Sequence, residues 1–335
     1  MPDLPQNSRN GLVATSALLT GCASGALSFG SLFAGIGGFD LGFERAGMRS
    51  AWNVEREPTC RKLLAAKFPN AAQYDDVQTV GTHNLAPVDL ICGGFPCQDL
   101  SVAGHRAGLS GSRSGLYYHL TRITDALKPA FLLWENVPGL HSSDDGRDFA
   151  RVLMELARIG YSGVWRTFDA QYFGLAQRRR RIFSLFARGD TGAERAAEIL
   201  SLAEGVRWHP APRREAQKNT PSAIGRSIAL CLNAGRDGYN DGSDQTYIPV
   251  AATSPKDGGH RNEGIIACAT GVRRLTPREC ERLQGFPDDW TAGFADSVRY
   301  RMLGNAVAVP CARWIGARIK GHNAKVSHAA QKSNE

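Results

Sequence analysis

The feature that most constrains the fold is an apolar run that leads into a glycine-rich turn and then into a helical pattern. Residues 27–33 are apolar enough to form a buried strand, and Gly35, Gly37 and Gly38 follow directly. Apolar residues then recur at helical spacing over residues 39–46. This order predicts a strand, a tight turn and a helix start, where glycines let the backbone approach a ligand. Such a turn can also be purely structural, so its neighbours decide between the two interpretations.

An acidic residue stands about 20 positions after the glycine turn, as in many nucleotide-binding units. Glu55 directly follows residues 51–54. A carboxylate at this distance can bind the ribose hydroxyls of a ligand held at the turn. The turn itself reads G-x-G-G rather than G-x-G-x-x-G, so the spacing to Glu55, more than the turn alone, favours ligand binding.

Two reactive side chains follow predicted core strands. Cys97 lies in the stiff, glycine-rich loop 93–101, directly after the apolar run 88–92, and Glu135 ends the apolar run 131–134. Both would emerge at the carboxyl ends of strands, where ligands of open α/β sheets gather. A lone cysteine is more often buried and inert, so the catalytic interpretation of Cys97 depends on the accompanying motifs.

Four consecutive arginines, residues 178–181, precede the apolar run 182–186. Because side chains alternate along a strand, Arg179 and Arg181 are predicted to share one side of the sheet, with the even-numbered pair on the other. One pair can therefore face a cleft, whereas a charge run without such neighbours is usually a solvated surface.

Two segments near the carboxyl terminus carry local structural signals. Thr276 as N-cap, Pro277 at the first helical position and Gly285 just past the end predict a well-capped helix. Residues 304–310, Gly-Asn-Ala-Val-Ala-Val-Pro, begin with a Gly-Asn turn signal.

Taken in this order, the segments resemble the DNA cytosine-5 methyltransferases. The resemblance covers residues 29–187 and 272–316, with Phe-Ala-Gly-Ile-Gly-Gly, Gly-Phe-Pro-Cys-Gln, Glu-Asn-Val and the Gln-x-Arg-x-Arg pattern among its motifs. It implies an α/β fold with a doubly wound, mostly parallel, Rossmann-like sheet and a smaller recognition lobe. It also implies methylation of cytosine C5 in a short specific DNA sequence, with S-adenosylmethionine as methyl donor and no metal.

The resemblance assigns the methyl donor to the glycine turn and its neighbours. Phe33 would pack on the adenine, Glu55 would bind the ribose hydroxyls, and Asp76 would accept the adenine amino group. Further cofactor-binding positions implied by the motifs are Gly35, Ile36, Gly37, Gly38, Pro96, Asn305 and Ala306.

The same resemblance assigns four catalytic roles. Cys97 would add to C6 of the cytosine as a thiolate, and Glu135 would stabilise the resulting charge at N3 and N4. Arg181 would reach O2 of the base, and Arg179 would position the catalytic loop or its substrate. The cytosine would rotate out of the duplex to reach the thiol. Contacts to DNA are implied for Gln98, Ser101, Gln177 and Arg178.

The expected domain plan follows from where the motifs lie and where the composition changes. Residues 27–190 and 299–320 form the catalytic, S-adenosylmethionine-binding domain, and residues 191–298, rich in Gly, Asp, Asn and Ser, form the target-recognition domain. Within this region, residues 188–271 are expected to choose the DNA site. Residues 1–26 are expected to be a poorly ordered extension, and residues 321–335 a flexible tail.

Charge and cysteine usage agree with an enzyme of the cytoplasm that binds double-stranded DNA. The chain has 40 Lys and Arg against 32 Asp and Glu, and the net charge of +8 favours a polyanionic partner. Its eight cysteines form no C-x-x-C pair, so no zinc site is predicted. Residues 19–22 mimic a lipoprotein cleavage box, but the apolar stretch before them is short, and we expect no membrane anchor.

Three alternatives explain part of the pattern. A tRNA cytosine-5 methyltransferase shares the Pro-Cys-Gln and Glu-Asn-Val motifs, although its Cys-Phe-Thr signature is absent. A nicotinamide dehydrogenase would account for the turn and Glu55 but not for Cys97, Glu135 or Arg181. A DNA-binding module without activity would not need every reactive position to be filled. We expect a monomer, with any restriction endonuclease on a separate chain.

Overall fold

One seven-stranded sheet forms the centre of the protein in the computed structural model, which describes residues 26–95, 116–201, 265–268 and 271–332. Its strands are β1 (Ser28–Leu32), β2 (Arg49–Val54), β3 (Ala72–Tyr74), β4 (Leu90–Gly93), β5 (Phe131–Asn136), β6 (Tyr161–Asp169) and β7 (Arg180–Arg188). The strand order is β3-β2-β1-β4-β5-β7-β6. Strands β1 to β5 run parallel, and β7 is antiparallel to both of its neighbours, β5 and β6. The predicted mostly parallel α/β sheet is confirmed.

Helices cover both faces of this sheet. They are α1 (Gly38–Arg45), α2 (Pro58–Lys67), α3 (Leu116–Leu127), α4 (Arg147–Arg158), α5 (Gly192–Leu200), α6 (Pro277–Gln284), α7 (Asp296–Asn305) and α8 (Val309–Lys332). Side chains of α3 and α4 fill the core on one face, and those of α1, α5 and α8 fill it on the other. A third cluster joins α2 to α6, α7 and the glycine turn. Within the described residues, every helix is too short or too polar to span a bilayer.

The central strand β5 shows why the sheet must be covered on both sides. Phe131 and Leu133 point into the core under α8, while Leu132 and Trp134 point into the core under α3 and α4. All four side chains are fully buried. A continuous apolar run of this kind is typical of a strand with helices on both faces.

Helix α6 begins and ends as its sequence predicts. The Thr276 side chain accepts a hydrogen bond from the Glu279 backbone N–H, and the Glu279 carboxylate accepts one from the Thr276 backbone N–H. This reciprocal capping box fixes the first turn. The helix ends at Gly285, whose φ of 81° suits glycine. It follows an antiparallel hairpin of β8 (Ile265–Cys268) and β9 (Gly271–Arg274).

The structure differs from the expected domain plan near three domain boundaries. Helix α5 buries Ala196, Ile199 and Leu200 in the core of the sheet, although the recognition region was predicted from residue 191. Residues 275–298 likewise contribute to the core around α2 and the glycine turn. The tail predicted to be flexible from residue 321 continues α8 to Lys332. Residues 202–264, the greater part of the region 188–271 expected to choose the DNA site, lie outside the described residues, and that assignment stays a prediction.

Candidate active site

The glycine turn between β1 and α1 has a strained, left-handed backbone. Phe33 has φ of 54°, a region that bulky residues rarely occupy, and Gly35 and Gly37 have φ of 57° and 81°. A Cβ atom at Gly35 would meet nothing within 4 Å, so the turn leaves open space on that side. Backbone strain of this kind persists only where the surroundings enforce it, and it is concentrated at ligand sites.

Two acidic side chains lie at the same edge of the sheet as this turn, and one of them contacts it. Oε2 of Glu55, the residue after β2, accepts a hydrogen bond from the Gly35 backbone N–H at 2.7 Å. Its Oε1 accepts one from the Glu57 backbone N–H at 2.8 Å. Asp76 follows β3 by two residues, and its Oδ1 accepts from the Gln78 backbone N–H at 2.9 Å. Because β1, β2 and β3 run parallel, the turn and both carboxylates lie along the carboxyl edge of the sheet.

The chain returns to the turn after α7. A Cβ atom at Gly38 would lie only 2.5 Å from the Val307 carbonyl oxygen, so only glycine permits this approach. Asn305 is exposed and Ala306 is buried. The structure thus brings Ala306 and Val307 against the turn, although they lie some 270 positions away in the sequence, whereas the predicted contact of Asn305 with the cofactor stays a prediction.

The second group of polar side chains lies where β4, β5 and β7 adjoin. Arg181 Nε is 3.2 Å from Glu135 Oε1, and the two side chains are 16% and 13% exposed. A Cβ atom at Gly94 would lie 3.5 Å from Glu135 Oε2, so the loop that carries Cys97 starts beside this carboxylate. The predicted site residues Pro96, Cys97, Gln98 and Ser101 lie outside the described residues.

Comparison with known proteins decides the family. The family model of the C-5 cytosine-specific DNA methylases matches residues 27–221 and 209–321. The chain belongs to this family. It is therefore a DNA (cytosine-5-)-methyltransferase, its family implies S-adenosylmethionine as methyl donor, and the tRNA alternative is not favoured.

Relatives of this methylase span most of its length. The Type II methyltransferase M2.BsuMI of Bacillus subtilis (strain 168) is 31% identical over 317 residues, covering 89% of this chain and 76% of the relative. The Type II methyltransferase M.NlaX of Neisseria lactamica is 30% identical over 318 residues, covering 88% and 97%. The crystal structure of the S. pombe Dnmt2 methyltransferase, at 18% identity, has a TM-score of 0.60 and covers 90% of this chain and 99% of that one. This structural likeness concerns the fold alone.

Two predicted site residues of the methylase are packing residues in the structure. Gln177, expected to contact DNA, is fully buried, and its Nε2 donates to the Leu283 carbonyl at 2.7 Å. Its side chain is thus packed against helix α6 in this structure, and the expected DNA contact stays a prediction. Arg179 is 3% exposed and donates to the carbonyls of Gly304 and Ala306 at 3.1 and 2.9 Å. Arg179 thus holds the backbone where α7 ends, and its expected role in positioning the catalytic loop or its substrate stays a prediction.

Arg178 remains compatible with a DNA contact. Its side chain is 30% exposed, and its Nε lies 3.7 Å from Asp169 Oδ2. Arg180, at the start of β7, is exposed, whereas Arg181 faces Glu135. The predicted pairing of Arg179 with Arg181 on the inner side agrees with this burial pattern.

A buried carboxyl group in α1 escaped the sequence analysis. Asp40 is fully buried, and its burial raises the pKa to about 7, an effect that the hydrogen bond from the Ser50 hydroxyl only partly offsets. Its burial could have been predicted from its position in the sequence, because Asp40 lies three residues before the apolar Phe43 and so shares one helix face with it. Within the described residues, no group of three or more His, Cys, Asp and Glu could hold a metal ion. The expectation of metal-free catalysis stays a prediction.

Proposed function

We propose that this methylase transfers a methyl group to C5 of one cytosine within a short, specific sequence of double-stranded DNA. The observation that carries the proposal is the Arg181–Glu135 pair beside Gly94, at the same sheet edge as the glycine turn and Glu55. A base held at the pair would lie next to the start of the loop that carries Cys97, and a donor held at the turn would share that edge.

Covalent activation of the base is the first step that we assign. C5 of cytosine is a weak nucleophile, and addition of a thiolate to C6 makes C5 electron-rich. Cys97 is the proposed nucleophile by its place in the Gly-Phe-Pro-Cys-Gln motif. Only the thiolate reacts, and a free cysteine has a pKa of about 8.5, so Cys97 must lose its proton to a base or to solvent.

Glu135 and Arg181 are the proposed partners of the base. As Cys97 adds to C6, negative charge develops on the ring at N3 and O2. A proton held by Glu135 at N3 would neutralise the first position, and the Arg181 guanidinium would face the second. Their 3.2 Å contact supports this division of roles, since it keeps the carboxyl group oriented before the base arrives.

The residues around the glycine turn suit the proposed cofactor. Open space at Gly35 and the carboxylate of Glu55 suit a backbone contact and a ribose diol. Phe33, Asp76, Asn305 and Ala306 would complete the pocket, with Phe33 against the adenine and Asp76 at its amino group. S-adenosylmethionine, when bound there, supplies an electrophilic methyl group.

The cycle closes when C5, now carrying the methyl group, gives its proton to a base or to solvent. The C5–C6 double bond then re-forms as the bond from C6 to the Cys97 sulfur breaks, which expels the thiolate and restores the aromatic ring. Cys97 cannot reach C6 inside a stacked duplex, so the cytosine must first rotate outward at a cost of a few kcal/mol. Contacts from Arg178, Gln98 and Ser101 to the DNA would offset part of this cost.

Target choice, assembly and location complete the proposal. We assign target recognition to the region 188–271 outside helix α5, whose side chains pack in the sheet core. We propose a cytoplasmic monomer because the chain carries one set of catalytic motifs. Several relatives are Type II methyltransferases, which supports a role beside a restriction endonuclease encoded on a separate chain.

Methyl transfer measured with tritiated S-adenosylmethionine tests the function directly. Unmethylated plasmid DNA should accept label, whereas transfer RNA should not. Bisulfite sequencing of that plasmid should then show one recurrent site with a methylated cytosine. Label in transfer RNA alone, or methylation scattered over all cytosine contexts, would contradict the proposal.

A further inference from the structure

An indole from the carboxyl-terminal part of the chain is bonded to the glycine turn. Trp290 lies between α6 and α7 and is 7% exposed. Its Nε1 donates a buried hydrogen bond of 3.0 Å to the Ile36 carbonyl. Ile36 lies between Gly35 and Gly37, the two glycines of this turn that have a left-handed backbone. The bond therefore reaches the middle of the turn from 254 residues away.

The ring of Trp290 has little freedom to move away from the turn. The Lys67 ammonium lies 4.8 Å from the ring centroid, and the rings of Phe68 and Phe286 lie at 6.0 and 5.4 Å. Phe68 is also a neighbour of the turn, since a Cβ atom at Gly37 would lie 2.5 Å from its ring. The indole and Phe68 thus support adjacent residues of the turn.

The backbone on either side of Trp290 is fixed by one buried carboxylate. Glu281 of α6 is fully buried and accepts from the backbone N–H groups of Asp289 and Thr291 at 2.7 and 2.8 Å. The Arg299 guanidinium lies 3.1 Å from the same carboxylate and compensates its charge. Asp289 has φ of 61°, so these bonds also hold a backbone conformation that few residues adopt.

We propose that Trp290 is a positioning residue for S-adenosylmethionine binding, which it controls through the Ile36 carbonyl. This inference rests on the proposed function of the turn. Without the indole N–H, the buried carbonyl is left without its donor, and the turn can relax from the conformation that fits the donor. Loss of a preformed site reduces the fraction of binding-competent protein, so it weakens affinity rather than the rate at saturation.

Trp290→Phe is the informative variant, because it keeps an aromatic ring and removes the N–H donor. Trp52→Phe is its matched control. Trp52 is also buried, and its Nε1 donates to the Ala86 carbonyl at 2.9 Å, before strand β4 and away from the carboxyl edge. Both variants lose an indole-to-carbonyl bond and similar ring volume, so both should lower the melting temperature.

Isothermal titration with S-adenosylmethionine separates the two variants. We expect Trp290→Phe to raise the dissociation constant about tenfold and Trp52→Phe to leave it within about twofold. At saturating donor, kcat and the KM for DNA should stay within about twofold of wild type in both. Glu281→Gln, which weakens the support of Trp290, should raise the same dissociation constant by a smaller factor.

Two results would overturn this inference: an unchanged dissociation constant in Trp290→Phe, or an equal increase in Trp52→Phe. Glu55→Ala distinguishes such a failure from failure of the proposed cofactor site. If Glu55→Ala abolishes donor binding while Trp290→Phe does not weaken it, the site stands and only the role of Trp290 is refuted. If Glu55→Ala binds the donor normally, the assignment of the turn itself is wrong.

Discussion

Arg181 Nε lies 3.2 Å from Glu135 Oε1, across the antiparallel pair β5–β7. Glu135 is directly opposite Phe183 in the register, so Arg181 is its diagonal neighbour on the same face. The antiparallel insertion of β7 beside β5 is therefore what brings an arginine to the carboxyl end of a parallel strand. A guanidinium and a carboxyl group held in this way can form hydrogen bonds to the edge of a planar, polar base.

Replacement of Arg181 should affect the chemical step more than binding. We expect Arg181→Ala to lower kcat by about 10²- to 10³-fold, because a preorganised donor to the developing charge is lost. Arg180→Ala is the control, since Arg180 is exposed one residue away. Single-turnover methylation at saturating DNA measures the effect. Equal rates for the two variants would remove Arg181 from the chemistry.

Two cysteines on consecutive segments should behave differently. Cys97→Ala should abolish turnover while preserving DNA binding, because the nucleophile is lost. Cys92→Ala should retain turnover and lose about 1 kcal/mol of stability, since Cys92 is fully buried in β4 and burial raises the pKa of its thiol far above the usual range.

A duplex with 5-fluorocytosine at the target makes this comparison direct. Fluorine takes the place of the C5 proton and cannot leave as a cation, so elimination stops after methyl transfer. With S-adenosylmethionine present, wild type and Cys92→Ala should therefore form a stable covalent adduct visible by intact-mass spectrometry. Cys97→Ala should form none. An adduct on Cys97→Ala, or none on wild type with a substrate known to be methylated, would refute the assigned nucleophile.

Variants of Gln177 and Arg178 should have different effects, with Gln177→Ala lowering stability and Arg178→Ala weakening DNA binding. Gln177→Ala removes a buried donor to the Leu283 carbonyl, so we expect about 1–3 kcal/mol of lost stability and little change in DNA affinity. Arg178→Ala should weaken binding to DNA of every sequence. The slope of log affinity against log salt concentration should fall by about one, the amount expected for one lost phosphate contact. Urea unfolding and salt-dependent binding titrations measure the two effects. Weaker DNA binding in Gln177→Ala, with unchanged DNA binding in Arg178→Ala, would instead assign the DNA contact to Gln177.

The fold class could be predicted because its signals are local. The run before Phe33, the turn at Gly35 and the apolar strand before Glu135 each fix an element within a few residues. Parallel strands then bring their carboxyl ends to one edge, so Glu55 and Glu135 could be placed there without coordinates.

Residues fixed by distant packing could not be predicted in the same way. Nothing near Trp290 indicates that its indole meets Ile36, and nothing near Gln177 indicates that α6 covers it. Helix α5 follows β7 in the sequence where the composition changes, so its membership of the sheet core became evident only from its contacts. These are contacts between segments more than 30 residues apart, for which one sequence carries no pattern.

The buried carboxyl of Asp40 predicts a pH-dependent stability. Burial raises the pKa of this carboxyl group to about 7 in the folded protein, against an ordinary value of 3.8, so the folded state holds the proton more tightly than the unfolded state. The contribution of protonated Asp40 to the free energy of unfolding is therefore fully present below about pH 4. As the pH rises toward 7, the free energy of unfolding falls by on the order of 4 kcal/mol.

Asp40→Asn isolates this contribution, since asparagine mimics the protonated carboxyl at all pH values. Relative to the variant, wild type should lose stability between pH 5 and pH 7 and change little from there to pH 8.5. Urea unfolding of both proteins across this range measures the difference. Parallel stability curves would show that Asp40 does not titrate in this window.

Gly38 lies so close to the Val307 backbone that a side chain there should affect both stability and donor binding. Gly38→Ala would place a Cβ atom 2.5 Å from the Val307 carbonyl, and backbone on both sides must shift to admit it. We expect about 1–3 kcal/mol of lost stability from this overpacking, together with weaker S-adenosylmethionine binding. Gly139→Ala is the matched control, because a Cβ atom there would meet nothing within 4 Å. Urea unfolding and donor titration should both distinguish the two variants. If Gly38→Ala retains wild-type donor affinity despite the loss of stability, residues 305–307 support the fold without shaping the cofactor pocket.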